Sequence, residues 1–244
     1  MSFRFKQFFV NDDRCAMKVG TDGVLLGCWT PIINHRTPYT IHPTPYRVLD
    51  IGTGSGLIAL MLAQRCPNAQ IDAIDIDTSA IEQAKENFAQ SPFSNQLAAY
   101  PSSLQAWPDH PYDLVVSNPP YFQNSLKNPD EGRKQARHTD SLSYKELLSH
   151  SARLLNENGH LALILPAEAE EEVCQLAATY SLYLTHITRV YSKDSKPARR
   201  VLLCFAKVEI GDRESAIKED TLVLEDEKGG RSRQYQELCK DFYL

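Results

Sequence analysis

The chain has 244 residues, of which 42% are hydrophobic and 23% are charged, a balance typical of ordinary globular proteins. The formal net charge of −5 argues against a protein that coats nucleic acid along its whole surface, because such domains are usually basic. The sequence contains neither a signal-peptide pattern nor an apolar run long enough to span a membrane, so we expect a cytoplasmic protein.

From Tyr46 onward, predicted strands and helices alternate, which is typical of a parallel sheet with crossover helices. The alternating strands are predicted at residues 46–51, 70–75, 97–100, 112–117 and 160–166. The helices between them are predicted at residues 57–65, from Ser79 onward, at 143–155 and at about 168–180. The last two strands, at 182–190 and 199–208, are separated only by a loop, which favours an antiparallel strand inserted at the sheet edge.

Two helix starts carry a capping-box pattern, Ser79 with Glu82 and Ser143 with Glu146. The second of these helices is predicted to close at Asn158-Gly159, a pair typical of a helix C-terminus. Outside the alternating region, the Pro-rich residues 30–45 are predicted to form a loop, and the acidic segment 209–230 to hold one short strand at TLVLE. We therefore expect a single globular domain with a short appendage.

Six cysteines are scattered along the chain without a CxxC pair and without a histidine at zinc-ligand spacing. They are Cys15, Cys28, Cys66, Cys174, Cys204 and Cys239. We expect buried or surface thiols instead of disulfides, and no metal site.

A group of glycines, DIGTGSG at residues 50–56, follows the first alternating strand. Glycines at a strand-to-helix turn let the backbone bend sharply and let a ligand approach main-chain atoms closely. Their positions differ from the dinucleotide-binding spacing, and the acidic Asp50 beside them is unfavourable for a pyrophosphate. A ligand with a positively charged group fits this turn better. The alternative is that the segment is only a tight turn.

Asp75 ends the second alternating strand, where a carboxylate can accept hydrogen bonds from both hydroxyls of a ribose. The alternative is a helix-capping acid. A cofactor with a ribose, no phosphate and a cationic amino-acid tail is S-adenosylmethionine. On DIGTGSG and Asp75, residues 46–208 resemble the seven-stranded class I methyltransferases.

This resemblance implies an α/β fold with a mostly parallel, Rossmann-like sheet and helices on both faces. The implied strand order is 3-2-1-4-5-7-6, with strand 7 antiparallel. Strands 1 and 4 are then neighbours, and ligands bind in such sheets where the winding direction reverses. The glycine loop, Asp75 and Asn118 are therefore expected around one crevice.

The sequence NPPYF at residues 118–122 follows the fourth alternating strand. An exocyclic amine on adenine is a poor nucleophile because its lone pair is delocalised into the ring. The Asn118 side-chain oxygen and the Pro119 carbonyl can each accept one of its hydrogens, and Tyr121 offers a ring on which the base can stack. The motif predicts methylation of a planar amine, but it does not distinguish adenine, guanine or a protein glutamine amide. The alternative is a structural turn at the sheet edge.

Residues 5–29, and the complete KVGTDG and LLG stretches at 18–27 within them, resemble the start of the bacterial enzymes that methylate N6 of adenine-37 in valine tRNA. The resemblance continues through NPPYF and QARH at 135–138. It implies an N-terminal segment, residues 1–45, that packs on the cofactor site, a methyltransferase domain at 46–208 and a C-terminal appendage at 209–244. The implied cofactor-binding residues are Lys18, Thr21, Asp22, Asp50, Gly52, Thr53, Gly54, Gly56, Asp75, Ile76, Ser103 and Asn118. Many methyltransferases carry an Asp after strand 3, where this chain has Ser103, so adenine binding there is expected to rest on main-chain groups.

Basic residues in two loops at the expected site edge are candidates for RNA binding through phosphates. They are Lys127, Arg133, Lys134, Arg137, His138, Lys193, Lys196, Arg199 and Arg200. The alternative is a pair of solvated loops, since Asp130, Glu131 and Asp194 dilute the positive charge. The expected partner is the anticodon region of a tRNA, and no obligatory protein partner is indicated.

Other functions share part of this pattern. A glutamine methyltransferase would carry a sizeable helical domain before the glycine loop, where this chain has 49 residues of a different pattern. A DNA adenine methyltransferase would need a target-recognition domain, for which this sequence shows no candidate segment. An rRNA base methyltransferase remains an open alternative. A non-catalytic RNA-binding protein of the same fold is disfavoured by the presence of Asp50, Asp75, Asn118 and Tyr121.

Overall fold

An eight-stranded sheet forms the centre of the computed structural model, which describes residues 2–32, 45–120, 142–207 and 217–243. In chain order the strands are β1 (Ser2–Arg4), β2 (Phe9–Asn11), β3 (Tyr46–Ile51), β4 (Ala69–Asp75), β5 (Leu97–Pro101), β6 (Tyr112–Ser117), β7 (Leu155–Pro166), β8 (Tyr183–Tyr191), β9 (Ala198–Ala206) and β10 (Lys218–Val223). Strands β1 and β2 pair separately as an antiparallel hairpin. The others form one sheet in the order β10-β8-β9-β7-β6-β3-β4-β5.

Six α-helices accompany these strands in the described ranges. They are α1 (Thr21–Trp29), α2 (Leu57–Arg65), α3 (Thr78–Ala89), α4 (Tyr144–Leu154), α5 (Glu170–Ala178) and α6 (Arg233–Cys239). Short 3₁₀ turns occupy Ser94–Gln96 and Ala167–Ala169. No helix in these described ranges is long and apolar enough to cross a membrane.

The strand order confirms the prediction for seven of the eight strands. Strand β9 runs antiparallel to both of its neighbours, β7 and β8, while the pairs from β7 to β5 across the sheet are parallel. The prediction of seven strands is one short, because β10 adds an edge strand parallel to β8. The predicted strand at TLVLE overlaps only the second half of β10. Its first half, Lys-Glu-Asp, is polar and largely exposed, so it carries little of the apolar alternation that marks a strand.

Two hydrophobic cores lie on opposite faces of the sheet. Successive strand residues point to opposite faces, so Val48 and Leu49 fall in different cores, as do Leu163 and Ile164. Helices α1, α2, α3 and α6 contribute to one core, and α4 and α5 to the other. This arrangement confirms the predicted helices on both faces and leaves the carboxyl ends of the parallel strands open as one edge.

Three local predictions can be compared with the structure. The capping box of Ser143 and Glu146 is confirmed at the start of α4. The capping box at Ser79 is wrong, because α3 begins earlier and the Asp77 side chain accepts a hydrogen bond from the Ser79 backbone N–H at 2.9 Å. The predicted helix end at Asn158-Gly159 is also wrong, since α4 ends at Leu154 and both residues belong to β7.

The two ends of the described chain pack against each other. The backbone N–H of Lys6 donates to the Phe242 carbonyl at 2.9 Å, and the Phe5 and Tyr243 rings lie 5.8 Å apart. All six cysteines are free thiols, five of them buried. The division of the chain at residues 45 and 208 stays a prediction.

Candidate active site

A cavity of about 780 Å³ opens at the carboxyl ends of β3, β4, β5 and β6. Its wall is formed by the loops after these strands, by part of the N-terminal segment and by the start of α4. The wall residues are Cys15, Ala16, Met17, Ile51, Gly52, Gly54, Ile74, Asp75, Ile76, Asp77, Ala80, Ser102, Ser103, Leu104, Gln105, Ser117, Asn118, Pro119, Pro120, Leu142 and Glu146. The cavity therefore lies at the point where the strand order reverses between β3 and β6, the usual ligand-binding place in such sheets.

The glycine loop after β3 brings bare backbone to the cavity. Gly52 and Gly54 have φ angles of 70° and 54°, and a Cβ at either position would meet nothing within 4 Å. Gly56 has a different role, because a Cβ there would lie 2.4 Å from Cε1 of Phe88 on α3. The first two glycines leave space in which a ligand can approach the main chain, while Gly56 allows the helix to pack closely.

Asp75 fixes the shape of this loop from the end of β4. Its Oδ2 accepts a hydrogen bond from the Gly54 N–H at 2.9 Å, and its Oδ1 accepts one from the Asp77 N–H at 3.0 Å. Each carboxylate oxygen has a second lone pair, so both can still accept hydrogen bonds from a pair of ribose hydroxyls. Ile76 follows on the cavity wall with 60% of its surface exposed, which offers an apolar face to a flat ring.

Asp50 lies beneath the loop and not on the cavity wall. It is fully buried, and burial raises its pKa to about 7, while the Thr53 hydroxyl, which donates to Oδ2 at 2.6 Å, opposes that rise. Asp50 and Thr53 therefore support the glycine loop from the protein interior. Direct contact of either side chain with a ligand stays a prediction.

The Asn-Pro turn leaves the sheet beside the glycine loop. Ile51 and Ser117 are paired across β3 and β6, and the Ser117 hydroxyl donates to the Ile51 carbonyl at 2.9 Å. Asn118 is half-buried and Pro119 is buried, and both line the cavity. Tyr121 lies outside the described residues. The amide and the carbonyl proposed to hold an amine thus share one cavity with the glycine loop.

The N-terminal segment reaches the cavity through residues that the sequence did not single out. Cys15, Ala16 and Met17 line the wall, whereas Lys18, Thr21 and Asp22 do not. Lys18 Nζ instead donates to the carbonyls of Asp12, Asp13 and Cys15 at 2.8, 3.2 and 3.0 Å, which closes the turn that carries the wall residues. These small and apolar residues carried no signal in the sequence.

The outer end of the cavity is formed by the turn after β5 and the start of α4. Ser103 lines it, and its Oγ accepts a hydrogen bond from the Ala106 N–H at 3.3 Å. Gln105 and Glu146, also on the wall, are joined by a hydrogen bond of 3.1 Å. Sequence reasoning missed this pair because the two residues are 41 positions apart in the chain.

The basic residues proposed for RNA fall into two groups. Lys127, Arg133, Lys134, Arg137 and His138 lie outside the described residues. Of the second group, Arg200 Nε donates to Asp22 Oδ2 at 2.9 Å, and Lys193 Nζ lies 3.7 Å from Glu225 Oε2. Lys196 and Arg199 are exposed.

The arrangement suits a reaction between a nucleoside-containing ligand and a planar amine. On one side of the cavity lie the Asp75 carboxylate and the backbone of the glycine loop. On the other side lie the Asn118 amide and the Pro119 carbonyl. Within the four described ranges, no three His, Cys, Asp or Glu side chains come together as a metal site would require.

Comparison with known proteins agrees with this geometry. Residues 40–181 match the family model described as the methyltransferase small domain. A protein of Aeromonas hydrophila named tRNA1(Val) (adenine(37)-N6)-methyltransferase is 44% identical over 99% of this chain and 97% of its own length. A protein of the same name from Parabacteroides distasonis is 45% identical, again over 99% of this chain and 97% of its own.

Among solved structures, a crystal structure described as a predicted O-methyltransferase of Agrobacterium tumefaciens superposes with a TM-score of 0.65. It is 16% identical and covers 90% of this chain and 96% of its own, so the likeness establishes the fold. The family model and the two relatives go further, because they match at the level of sequence. The chain therefore belongs to the methyltransferase small domain family, together with these tRNA1(Val) (adenine(37)-N6)-methyltransferases.

Proposed function

We propose that this protein transfers a methyl group from S-adenosylmethionine to the exocyclic N6 amine of adenine-37 in valine tRNA. The observation that carries the proposal is the cavity itself. It joins Gly52, Gly54 and Asp75, which suit a nucleoside, to the Asn118 and Pro119 turn, which suits a planar amine. Relatives about as long as this chain and 43 to 45% identical to it carry the corresponding name, which supports the substrate assignment.

The residues of the cavity fit the cofactor. Gly52 and Gly54 leave open the space that a Cβ would occupy, and the Asp75 carboxylate can accept hydrogen bonds from both ribose hydroxyls. S-adenosylmethionine supplies a methyl group on a positively charged sulfur, which is open to attack by an amine. Ile76 and the turn at Ser103 would enclose the base of the cofactor, while Lys18 would act through the turn that it closes.

The acceptor amine is handled by the turn after β6. The Asn118 side-chain oxygen accepts one amine hydrogen and the Pro119 carbonyl accepts the other, which favours a pyramidal nitrogen whose lone pair can attack. Tyr121 would stack on the adenine, a contact that contributes about 1 to 3 kcal/mol in nucleic-acid complexes. A general base is not required, because the methylated product is cationic and loses its proton to water.

The tRNA would approach the same edge of the sheet. Arg200 is paired with Pro166, the last residue of β7, so the loop before β9 lies at the edge where Asn118 follows β6. From this loop Lys193, Lys196, Arg199 and Arg200 can reach phosphates, and the basic residues of the segment after NPPYF would add to them. The enzyme would then recognise the shape of the anticodon arm and a splayed base.

Methylation of transcripts in vitro tests the proposal directly. The purified protein is incubated with S-adenosylmethionine and valine tRNA, and the nucleosides are analysed by mass spectrometry. We expect N6-methyladenosine in this tRNA and none in a matched transcript with guanine at position 37. Methylation of neither transcript, or of both equally, would contradict the substrate assignment. Comparison of tRNA from cells with and without the protein extends the test to the natural substrate.

A variant of Asn118 tests the assigned chemistry. Replacing Asn118 with Ala is expected to abolish methyl transfer while leaving cofactor affinity within a few-fold, because the amide acts on the amine. Activity is measured as methyl groups transferred to tRNA, and affinity by calorimetry with S-adenosylhomocysteine. Full activity in the variant would refute the role of Asn118.

A further inference from the structure

The order of the strand ends determines where the base of a bound nucleoside must lie. Gly52 follows β3, Asp75 ends β4, and Asp75 is in register with Pro101 at the end of β5. A ligand whose ribose meets Asp75 and whose sulfur points towards Asn118 must direct its base the other way, towards β5. The base then lies near Ile76 and the cavity wall formed by residues 102–105.

Most polar side chains on this wall are engaged within the turn. The Ser102 hydroxyl donates to the Ser103 carbonyl at 3.0 Å, and Ser103 Oγ accepts from the Ala106 N–H. Ser103 Oγ keeps its hydrogen and one lone pair, so it is one candidate partner for the edge of the base. The amide oxygen of Gln105, which accepts no hydrogen bond within the described residues, is a second candidate on the same wall.

The hydrogen bond between Gln105 and Glu146 orients this amide oxygen. Gln105 Nε2 donates to Glu146 Oε1 at 3.1 Å, while Glu146 Oε2 accepts from the Ser143 N–H and hydroxyl at 3.0 and 2.7 Å. The Ser143 hydroxyl, the Ser143 N–H and Gln105 hold the pKa of Glu146 below its usual value, so this carboxylate is ionised at neutral pH. An ionised carboxylate can only accept hydrogen bonds, so the Gln105 NH2 group must face it.

The Gln105 carbonyl oxygen is consequently turned away from Glu146. Gln105 and Glu146 both line the cavity, and Gln105 is exposed, so its amide can reach a ligand there. An amide oxygen in this position accepts a hydrogen bond from an amino group and repels a carbonyl group.

We infer that Gln105 recognises the 6-amino group of the cofactor's adenine and that Glu146 is the positioning residue that orients the Gln105 amide. The inference rests on the proposed function, because it assumes that the cavity holds S-adenosylmethionine. It places base recognition on a side chain, where the sequence predicted main-chain groups near Ser103. It also links the base of the cofactor to the first turn of α4.

Two cofactor products that differ only at the base test this inference. The full-length protein is titrated by calorimetry with S-adenosylhomocysteine and with S-inosylhomocysteine, in which an oxygen replaces the 6-amino group and N1 carries a hydrogen. We expect the wild type to prefer the adenosyl compound by about tenfold or more, the effect of one hydrogen bond gained and one repulsive contact avoided. Gln105→Met, of similar length but without an amide, is expected to reduce the preference to about twofold.

Two further variants distinguish the effect of Gln105 from the effects of its neighbours Ser103 and Glu146. Ser103→Ala is expected to keep the preference, because the Gln105 amide is unchanged. Glu146→Gln keeps a residue that can cap the helix, but its amide can present either an oxygen or an NH2 group to Gln105. The Gln105 amide can then adopt both orientations, so the preference for the adenosyl compound should fall to an intermediate value. Thermal unfolding of each variant confirms that the fold is retained.

The outcomes distinguish this inference from the proposed function. If the wild type binds neither compound, the proposed function fails and the inference fails with it. If the wild type binds the adenosyl compound but shows no preference, or if Gln105→Met keeps the full preference, the inference alone is overturned. Loss of the preference in Ser103→Ala, with Gln105→Met unaffected, would assign the recognition to Ser103 instead.

Discussion

A buried carboxyl group beneath the glycine loop, that of Asp50, makes the stability of the fold depend on pH. Its side chain is fully buried, and the Thr53 hydroxyl and the Ala59 backbone N–H interact with its carboxyl group. Burial raises the pKa of Asp50 to about 7, the Thr53 hydroxyl opposes the rise, and the charge of Asp75 adds to it. In the unfolded chain an aspartate ionises near pH 4, so the folded protein retains a proton that the unfolded chain has lost.

This difference predicts how stability changes with pH. Below about pH 4 the proton is bound in both states, and the contribution of Asp50 is fully present. As the pH rises from about 4 to about 7, the folded state loses about 4 kcal/mol relative to the unfolded chain, and above pH 7 the loss is constant. Replacing Asp50 with Asn removes this loss, so the variant should gain free energy of unfolding over the wild type as the pH rises.

Urea unfolding between pH 4 and pH 8 measures the effect as the difference between the two proteins. Asp194→Asn, at an exposed position in the loop before β9, controls for the loss of one negative charge and should show a small and nearly constant difference. A difference between Asp50→Asn and the wild type that does not grow with pH would mean that Asp50 ionises in the folded protein as it does in water.

The sequence predicts that the main site residues lie close together, because each of them is at or directly after the end of a strand. Gly52, Asp75 and Asn118 each come directly after or at the end of a strand with a clear apolar pattern, and the cavity contains all three. Lys18 could not be assigned in this way, because its function depends on a turn whose three carbonyls carry no sequence signal. The wall residue Gln105 depends on a partner from a distant helix, which a pattern in one segment cannot reveal.

At the scale of single elements, helix α4 begins with its own hydrogen-bonded cap. Ser143 Oγ accepts from the Glu146 N–H at 3.2 Å, and Glu146 Oε2 accepts from the Ser143 N–H at 3.0 Å. Each bond satisfies a backbone donor that the helix leaves unpaired at its first turn. Because Leu142 and Glu146 line the cavity on either side of this cap, the first turn of α4 also shapes the candidate site.

Removing the cap should weaken the helix by a predictable amount. Ser143→Ala is expected to lower the free energy of unfolding by about 1 kcal/mol, the usual cost of losing an N-cap hydroxyl. Ser149→Ala is the matched control on the same helix, since its hydroxyl only donates back to the Glu146 carbonyl at 3.2 Å. Urea unfolding compares the variants. An equal effect of both changes would mean that the cap contributes nothing beyond an ordinary surface serine.

The errors in element boundaries have a common physical cause. Asn158 has a φ of 66°, a conformation that suits a helix C-terminus but here belongs to an irregular part of β7. The pairing of β6 with β7 skips from Leu155 to His160, so residues 156–159 form the irregularity. Around α3, several residues able to cap a helix stand close together in DIDTS, and only the tertiary structure selects Asp77. Local propensity indicates that the chain turns, but it does not determine which element comes after the turn.

At the scale of the whole molecule, a negative net charge of −5 coexists with a candidate RNA-binding edge. Two cations at that edge have acidic neighbours, since Arg200 pairs with Asp22 and Lys193 lies near Glu225. Lys196 and Arg199 are exposed in the same loop and neither forms an ion pair within the described ranges, so they can approach phosphates at little desolvation cost. The local distribution of charge, and not the net charge, therefore decides how this protein would attract RNA.

Reversing those two charges tests the RNA-binding edge. Lys196→Glu combined with Arg199→Glu is expected to raise KM for valine tRNA several-fold and to flatten the dependence of log affinity on log salt by about one to two units, because about two phosphate contacts are lost. Lys85→Glu combined with Arg233→Glu provides a control at two exposed positions on α3 and α6, and each double variant takes the formal net charge from −5 to −9. Because the total charge is the same, any difference between the variants reports on position. Equal salt slopes in the two double variants would place the RNA on another surface.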